Sequence, residues 1–465
     1  MLHSVRARAA KCCSLLLLGF SLTSVLPATA LDLTGLVNSH DPGAIVRDGD
    51  TLFHFTTGHG VWYSTSTNLT HWTGAPSTVF GSSWPSWINS AVPGFDGHFW
   101  APDVIQMGNY YYLYYSASTF GSSTSAIGVA RSPSLKNPAW QDLGVVVQSY
   151  GGFTEMNAID PALFRDYDGK VYMSYGSFFG GIGIAEINQS TGKLASSVSH
   201  IYGGGHQDIE APYITRDGDY YYLFVNRGSC CQGANSSYYV QVSRSTSIYG
   251  PWSGTRTILG NVSGKYKGPG HIGLLKENGC NYVSTHYYDL NDNGNAKLDI
   301  LRMTYSGGWP VLTRNFSSVS SCGGVSDGIY SLTARHSNRA LAVDNASTAN
   351  GAFVEQYGYS GAANQKWYVI GQNAGNYSLI NVNSLKSLDV WELSTAPGAR
   401  IAQWDYWGGD GQKWKLDASG SHFVVRSVLS GLALDVLNMS TANDAQVIQW
   451  NLTGATNQQW SMIRR

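Results

Sequence analysis

The chain has 465 residues, which is enough for two domains or more. Charged residues make up only 13% of it and the formal net charge is −1, so no basic surface is expected to bind a nucleic acid or an anionic membrane. The 54 glycines, 29 tyrosines and 15 tryptophans disfavour long helices and favour strands, which predicts an all-β fold.

The first 30 residues have the pattern of a signal peptide. Three basic side chains precede an apolar stretch, Leu15–Val25, which is too short to span a bilayer. The stretch is followed by Ala28-Thr29-Ala30, a cleavage site with small residues at its first and last positions. The pattern predicts a secreted, extracellular protein whose mature chain begins near Leu31 and has no membrane partner.

A structural unit recurs five times between residues 31 and 322. Each copy contains a proline, a short apolar run, a polar turn with glycine and an aromatic strand. The five prolines are residues 42, 102, 161, 212 and 269, so successive copies are 60, 59, 51 and 57 residues apart. This spacing accommodates one antiparallel sheet per copy, and five such sheets predict a five-bladed β-propeller.

Acidic residues stand beside the repeated proline in three of the copies. Asp41, Asp160 and Glu210 belong to copies one, three and four, while copy two has Asp103 on the other side of its proline. Equivalent positions in a propeller lie on rings around one axis, so these carboxylates are predicted to converge on one cavity. Carboxylates held together repel unless one retains a proton, an arrangement that general acid–base catalysis uses.

Seven segments of this region also carry a family resemblance. In chain order they are "SHDPGAI", "HFWAPDV", "YYLYYSASTFGSSTSAIGVA", "NAIDPALF", "YGSF", "IEAPYI" and "THYYD". Residues 35 to about 320 resemble the arabinanases of glycoside hydrolase family 43. The resemblance implies that Asp41 is the general base, that Asp160 tunes the pKa of the acid and orients the sugar, and that Glu210 is the general acid. It further implies hydrolysis with inversion, which requires carboxyl groups roughly 6.5–9.5 Å apart.

The sequence also predicts residues that contact the substrate and one that binds a metal. Trp100 and Phe120 are candidate ring platforms, and Asn157 and Ser177 are candidate hydrogen-bond partners of sugar hydroxyls, with ordinary packing as the alternative for each. His286, in "THYYD", resembles the histidine that many of these arabinanases place beside a central calcium. Calcium prefers oxygen ligands, so a single histidine implies that water supplies most of the coordination. No organic cofactor is expected.

Four cysteines remain after the predicted cleavage: Cys230, Cys231, Cys280 and Cys322. An even number in a secreted protein predicts disulfides, with three possible pairings. A bridge between the adjacent Cys230 and Cys231 would be strained, so each is expected to pair with a distant partner. A zinc site is the alternative, although the spacing fits no usual template.

A second repeat occupies residues 327–465, beyond a short linker. Its three copies contain "ALAVD…NQKW", "SLDV…GQKW" and "LALDV…NQQW". They resemble the ricin-B-type β-trefoil of carbohydrate-binding module family 13, which implies one sugar site in each of three lobes. The implied binding residues are Asp344, Tyr357, Asn364 and Gln365 in the first lobe, Asp389, Trp404 and Gln412 in the second, and Asp435, Trp450, Asn457 and Gln458 in the third.

The second lobe departs from this pattern, because Gly411 replaces the amide residue before Gln412. We therefore expect the second lobe to bind weakly or not at all. The closing residues Trp367, Trp414 and Trp460 are expected in the core.

Taken together, the two halves predict a secreted endo-acting α-1,5-L-arabinanase with a lectin-like anchor on plant cell-wall polysaccharide. The polysaccharide is arabinan, with xylan or galactan side chains as further candidates. An exo-acting arabinanase, an α-L-arabinofuranosidase and a β-xylosidase share the acidic triad and stay open as alternatives. A non-catalytic lectin is the alternative outside the enzymes, and the intact triad argues against it.

Overall fold

The computed structural model describes residues 31–316, 319 and 321–465, so the predicted signal peptide lies outside the described residues.

The first part of the chain forms five sheets. Blade one contains β1 (Thr34–Gly35), β2 (Val46–Asp48), β3 (Thr51–Thr56), β5 (Trp62–Ser66) and β6 (His71–Gly74). Blade two contains β4 (Gly58–His59), β7 (His98–Met107), β8 (Tyr110–Ala117), β9 (Thr124–Ser132) and β10 (Gln141–Tyr150). Blade three contains β11 (Ala162–Arg165), β12 (Val171–Tyr175), β13 (Ile182–Ile187) and β14 (Ser199–Tyr202). Blade four contains β15 (Ile209–Asp217), β16 (Tyr220–Arg227), β17 (Tyr239–Ser245) and β18 (Ser253–Leu259). Blade five contains β19 (Val262–Ser263), β20 (Tyr266–Glu277), β21 (Cys280–Asp289), β22 (Asn295–Ser306) and β23 (Trp309–Thr313). A short helix, α1 (Trp87–Ala91), lies in blade two.

The repeated glycine turn explains why each copy begins with a hairpin. Only two residues join β2 to β3, and likewise β7 to β8, β15 to β16 and β20 to β21. In the first two of these turns Gly49 and Gly108 have φ values of 62° and 58°, a left-handed conformation that glycine adopts without steric cost. The aromatic strand that follows each turn then pairs antiparallel with the first strand of its blade.

Five apolar clusters fill the spaces between neighbouring blades. One cluster packs Phe53 and Phe55 of blade one against Phe99 and Leu113 of blade two. Equivalent clusters join blades two and three, three and four, four and five, and five and one. Main-chain bonds also close the ring, since residues 37–39 pair with β22 through Leu298 N to Val37 O. The predicted five-bladed propeller is confirmed.

The rest of the described chain forms a twelve-stranded trefoil. Its strands are β24 (Gly328–Ala334), β25 (Ala340–Val343), β26 (Val354–Tyr357), β27 (Trp367–Gly371), β28 (Tyr377–Asn381), β29 (Ser387–Val390), β30 (Ile401–Trp404), β31 (Trp414–Ser419), β32 (His422–Ser427), β33 (Ala433–Val436), β34 (Ala445–Trp450) and β35 (Trp460–Arg464). Trp367, Trp414 and Trp460 are fully buried, and each indole N–H donates to the carbonyl 26 residues earlier in the chain. The closing tryptophans therefore belong to the core, as predicted.

Eight single turns of 3-10 helix complete the described secondary structure. They are Gly233–Asn235, Asp344–Ala346, Ala363–Gln365, Asn373–Gly375, Trp391–Leu393, Asp410–Gln412, Leu437–Met439 and Thr456–Gln458. No helix among the described residues is long and apolar enough to cross a membrane.

The trefoil docks on the propeller face where the first strand of each blade ends. Tyr167 of blade three packs against Ile329, Tyr368 and Ile380 of the trefoil. The Arg165 guanidinium lies 3.9 Å from the centre of the Tyr368 ring, and the Tyr368 hydroxyl accepts a hydrogen bond from the propeller main chain. A cavity of about 190 Å³ remains between the two parts. The trefoil is therefore packed on the propeller and closes one end of its central channel.

The cysteine pairing predicted for the adjacent pair is wrong. Cys230 and Cys231 are bonded to each other, and Cys280 is bonded to Cys322. The expectation assumed that neighbouring residues pair only under strain. However, Cys231 adopts a left-handed conformation with φ of 65°, which allows the chain to turn within the bridged pair. Cys280 begins β21 and Cys322 follows blade five, so the second bridge fastens the end of the propeller region to its last sheet.

Candidate active site

The entry to each blade has the same unusual backbone. Asp41, Ala101, Asp160 and Ala211, each directly before the repeated proline, have φ values of 48°, 43°, 57° and 50°. Three of the first strands also have a register shift just after their start, as in a β-bulge. Left-handed residues other than glycine cost free energy and are frequent at functional sites, where they aim side chains into a cavity.

Blade five also has a left-handed residue at its entry, but this residue does not directly precede the repeated proline. His271, two residues after Pro269, has a φ of 58° and lies buried with Nδ1 4.0 Å from Asp41 Oδ1. Glu210, by contrast, stands one residue before the left-handed position of blade four. The ring of five entry positions therefore holds Asp41, Asp160 and His271, and Glu210 reaches the same cavity from an adjacent position.

Asp41 is held by one of its two carboxylate oxygens. Oδ2 lies 2.7 Å from His40 Nδ1 and accepts a hydrogen bond of 2.9 Å from the Thr57 hydroxyl. Oδ1 faces Nδ1 of His286 at 3.6 Å. Burial would raise the pKa of Asp41, but His40, through its charge and its hydrogen bond, and then His286 and His271 hold that pKa well below its usual range. Asp41 is therefore ionised, with Oδ1 directed into the cavity.

Glu210 has the opposite electrostatic character. Burial raises the pKa of Glu210 to about 7, and the charge of Asp41 adds to the effect. The Tyr238 hydroxyl donates a hydrogen bond of 2.7 Å to Glu210 Oε1, which stabilises the ionised form and limits the increase. Glu210 can consequently hold a proton near neutral pH.

Asp160 is buried close to both of these carboxyl groups. Its Oδ2 accepts a hydrogen bond of 3.0 Å from the Ala211 amide, directly after Glu210. Burial raises the pKa of Asp160 well above its usual range, and the charges of Glu210 and Asp41 raise it further. Asp160 and Glu210 are thus electrostatically coupled, and removal of a proton from one disfavours ionisation of the other. The structure brings together the three carboxylates that the repeat predicted.

The fourth acidic residue of the repeats lies elsewhere. Asp103 is buried on the other side of its proline and accepts main-chain hydrogen bonds from Ala44 of blade one, from its neighbour Val104 and from Leu163 of blade three. It joins three blades and does not face the cavity carboxylates.

The predicted substrate contacts fall into two groups. Trp100 is partly exposed at the start of β7, beside Ala101, whose amide donates to Thr57 in the Asp41 network. Phe120 is 85% exposed in the turn between β8 and β9, on the same face. In contrast, Asn157 and Ser177 are almost fully buried and hydrogen-bonded to each other at 3.1 Å. The second pair therefore supports the segment that carries Asp160 and exposes little surface to a sugar.

Sequence reasoning missed several residues of the site: His40, Thr57, Tyr238, His271 and Tyr288. His40 could have been found, because it directly precedes Asp41. Tyr288 lies in the "THYYD" segment, where only His286 was singled out, and Tyr238 carried no distinguishing signal. Only the fold shows that their hydroxyls face the cavity.

The histidine expected beside calcium has hydrogen bonds that do not suit a direct ligand. The only cluster of potential metal ligands among the described residues is His40, Asp41 and His286, which offers a single carboxylate to a metal that prefers oxygen. The Asp41 amide donates to His286 Nδ1 at 3.1 Å, so the ring proton of neutral His286 lies on Nε2. That buried Nε2 has no hydrogen-bond partner among the described residues, and an ordered water would satisfy it. These residues do not fit direct coordination of calcium by His286, and calcium stays a prediction from the resemblance.

The trefoil presents one exposed aromatic residue per lobe. Tyr357, Trp404 and Trp450 end equivalent strands and are 41%, 42% and 41% exposed. In the third lobe Asn457 and Gln458 donate to the two oxygens of Asp435. This arrangement matches the predicted sugar site.

The other two lobes differ from expectation. In the second lobe Gln412 donates to Asp389 Oδ2 at 2.8 Å, and the Trp407 indole N–H donates to the same oxygen at 3.1 Å. Asp389 Oδ1, whose counterpart in the third lobe accepts from Asn457, has no hydrogen-bond partner among the described residues. A pocket of about 370 Å³ lies beside Asp389, lined by Trp391, Trp404 and Trp407 among others. In the first lobe Asn364 and Gln365 donate instead to main-chain carbonyls, at Val343 and Gly358.

A propeller that brings Asp41, with a lowered pKa, together with Asp160 and Glu210, whose pKa values are raised, and that is joined to a lectin-like trefoil, has the arrangement expected of a glycoside hydrolase. The chain belongs to the glycosyl hydrolases family 43, whose family model matches residues 36–310. The ricin-type beta-trefoil lectin domain-like model matches residues 316–404 and 410–465.

Relatives of known activity match the propeller region. The chain is 39% identical to an extracellular exo-α-(1→5)-L-arabinofuranosidase of Cellvibrio japonicus, over 59% of this chain and 86% of the relative. It is 37% identical to an extracellular endo-α-(1→5)-L-arabinanase of Bacillus subtilis, over 63% and 93%. Among solved structures, a family 43 endo-arabinanase from Bacillus licheniformis is 37% identical with a TM-score of 0.56, covering 60% of this chain and 99% of that one.

Proposed function

We propose that this protein is a secreted endo-acting arabinanase that hydrolyses α-1,5-linked L-arabinan with inversion. The observation that carries the proposal is that Asp41, Asp160 and Glu210 converge in one buried site, where the pKa of Asp41 is lowered by its histidine neighbours and burial raises the pKa of Glu210 to about 7. The extracellular arabinan-degrading relatives support the substrate and the location.

In this mechanism Asp41 is the general base and Glu210 is the general acid. Asp41 Oδ1 takes a proton from the attacking water, while Oδ2 stays fixed by His40 and Thr57. Glu210 gives its proton to the leaving oxygen, and its Tyr238 hydrogen bond then stabilises the carboxylate that results. Asp160 is buried beside Glu210, and the pKa values of both carboxyl groups are raised. The two groups together therefore retain a proton near neutral pH. Trp100 and Phe120 supply ring platforms at the rim.

The product profile on linear 1,5-arabinan tests this function. An endo-acting enzyme cuts inside the chain, so we expect chromatography of early time points to show a ladder of arabino-oligosaccharides with little free arabinose. A single short product from the first minutes would instead assign the exo mode that the Cellvibrio japonicus relative carries in its name. Absence of any new reducing end would favour the non-catalytic lectin and contradict the proposal.

The trefoil anchors the enzyme to polysaccharide mainly through its second and third lobes. Two side-chain donors hold each of Asp389 and Asp435 in place, whereas no such donor from Asn364 or Gln365 reaches Asp344. The bound sugar is arabinan, with xylan and galactan as the other candidates.

Substitution of the exposed rings tests this anchor. Trp404→Ala combined with Trp450→Ala should abolish retention on insoluble arabinan, because an anchor raises the effective concentration of enzyme at a surface. Tyr357→Ala, the matched change in the first lobe, should reduce retention by less than twofold. Pull-down binding measures retention, and turnover of soluble arabinotriose should stay unchanged in all variants. Equal losses for the three rings would contradict the ranking of the lobes.

A further inference from the structure

The connection between β16 and β17, residues 228–238, is linked by hydrogen bonds to both Glu210 and Asp41, the proposed acid and base. We refer to it as the Cys230–Cys231 loop. It lies on the face where blade entries begin, since Arg227 at its start pairs with Ile209, directly before Glu210. At its far end Tyr238 donates to Glu210. The Cys230–Cys231 disulfide stands near the middle of the loop, with Cys231 exposed.

The middle of the loop reaches the base through two intermediaries. The Cys231 amide donates a hydrogen bond of 2.7 Å to the Tyr288 hydroxyl. That hydroxyl lies 2.7 Å from His40 Nε2, and His40 Nδ1 lies 2.7 Å from Asp41 Oδ2. A continuous chain of hydrogen bonds therefore runs from the main chain of the disulfide to the proposed general base.

The direction of these hydrogen bonds is fixed at the loop end. A main-chain amide can only donate, so the Tyr288 oxygen accepts from Cys231. Burial lowers the pKa of His40, but the charge and the hydrogen bond of Asp41 raise it above its usual value, so protonated His40 donates from Nε2 to the same Tyr288 oxygen. Nδ1–H of His40 then donates to Asp41. The arrangement holds the imidazole in one orientation, and leaves Asp41 Oδ1 as the carboxylate oxygen that His40 does not contact.

The disulfide accounts for the position of the donating amide. Cys231 has a φ of 65°, which an unconstrained residue with a side chain rarely adopts. The bond to Cys230 restricts the chain at this residue, and the flanking segments are tied together through Ser229 and Ser237. Close packing of Gly233 against Gly294 joins the loop to the connection that follows Tyr288 and β21. Without the bridge, the Cys231 amide has no covalent constraint that keeps it directed at Tyr288.

We infer that the Cys230–Cys231 disulfide, with Tyr288 and His40, is a positioning element for the general base. The inference rests on the proposed function and adds residues that touch neither sugar nor water. Their effect is expected on the rate of the chemical step and not on substrate binding.

Two disulfide variants test the inference, and the second is the matched control. C230S/C231S should lower kcat on linear arabinan about tenfold, the effect of one lost oriented hydrogen bond, with KM changed less than twofold. C280S/C322S removes the bridge at the opposite end of blade five and should lower the melting temperature while kcat stays within twofold.

A double-mutant cycle distinguishes positioning from general destabilisation. Tyr288→Phe should lower kcat by a similar factor, and C230S/C231S should add nothing in the Tyr288→Phe background, because both changes break the same chain of hydrogen bonds. Losses that multiply would show that the disulfide acts elsewhere and would overturn the inference.

Reduction of a folded protein gives a second measurement if C230S/C231S does not fold. In C280S/C322S the remaining disulfide accepts two electrons and two protons from dithiothreitol, which becomes the cyclic disulfide. The reduced protein should lose about tenfold in kcat and recover it on reoxidation. Unchanged kcat after complete reduction would refute the inference while wild-type hydrolysis of arabinan still supported the proposed function.

Discussion

Asp41→Ala should lower kcat on every arabinoside by about 10⁴-fold, the upper end of what general acid–base catalysis contributes. The attacking water loses its proton acceptor, and this loss does not depend on the quality of the leaving group. Initial rates on linear arabinan and on an aryl arabinoside measure the effect.

The control for this change is Asp50→Ala in the same blade. Asp50 is an exposed carboxylate in the turn between β2 and β3 that pairs with Lys136 and accepts a hydrogen bond from its neighbour Thr51, so its removal should leave both rates within twofold. Circular dichroism establishes that both variants are folded. Retention of arabinan hydrolysis by folded Asp41→Ala would remove the base from the mechanism and with it the role of the triad.

Glu210→Ala should separate the two substrates. Cleavage of arabinan should fall by about 10²–10⁴-fold, because the leaving sugar needs a proton. An aryl arabinoside with a good leaving group should lose far less, because its leaving group departs without protonation. Equal losses on both substrates would contradict the assignment of Glu210 as the acid.

The same assignment fixes the sign of the pH dependence. Glu210 must be protonated to act, and its pKa is raised to about 7, so kcat on arabinan should fall as the pH rises above about 7. Tyr238→Phe removes a hydrogen bond that favours the ionised form, so the pKa should increase and the alkaline limb should move to higher pH. The pH profile on the aryl substrate should show little of this limb. A limb that moves to lower pH in Tyr238→Phe would contradict the account.

The repeat made much of the architecture predictable. Prolines at regular spacing predict five blades, and the symmetry of the repeat predicts that Asp41, Asp160 and Glu210 converge. Periodic positions are informative because the fold repeats the same backbone geometry, here a left-handed residue at each blade entry. His271 escaped prediction because blade five has this geometry two residues after its proline.

Features outside the repeat could not be predicted in the same way. The Tyr238 hydroxyl reaches Glu210 from the loop before β17 of the same blade, and no local pattern distinguishes Tyr238 from a core tyrosine. The Tyr288 hydroxyl reaches His40 from blade five, and the "THYYD" segment that contains it did not reveal this contact. The Trp407 indole adds a second donor to Asp389 Oδ2 from a position four residues before Gly411, where no family position suggested it. The docking of Tyr368 on Arg165 depends on two separate surfaces meeting, which neither segment reveals alone.

The anomeric configuration of the first product tests the central claim most directly. Proton NMR of a linear 1,5-arabinan digest, recorded within the first minutes, resolves the two anomers of the newly formed reducing end before mutarotation mixes them. With Asp41 as a base that activates water opposite a protonated Glu210, the new end should appear first as the β-furanose, inverted from the α-linkage. A new end that appears first as the α-anomer would require a covalent intermediate and would contradict the single-displacement mechanism.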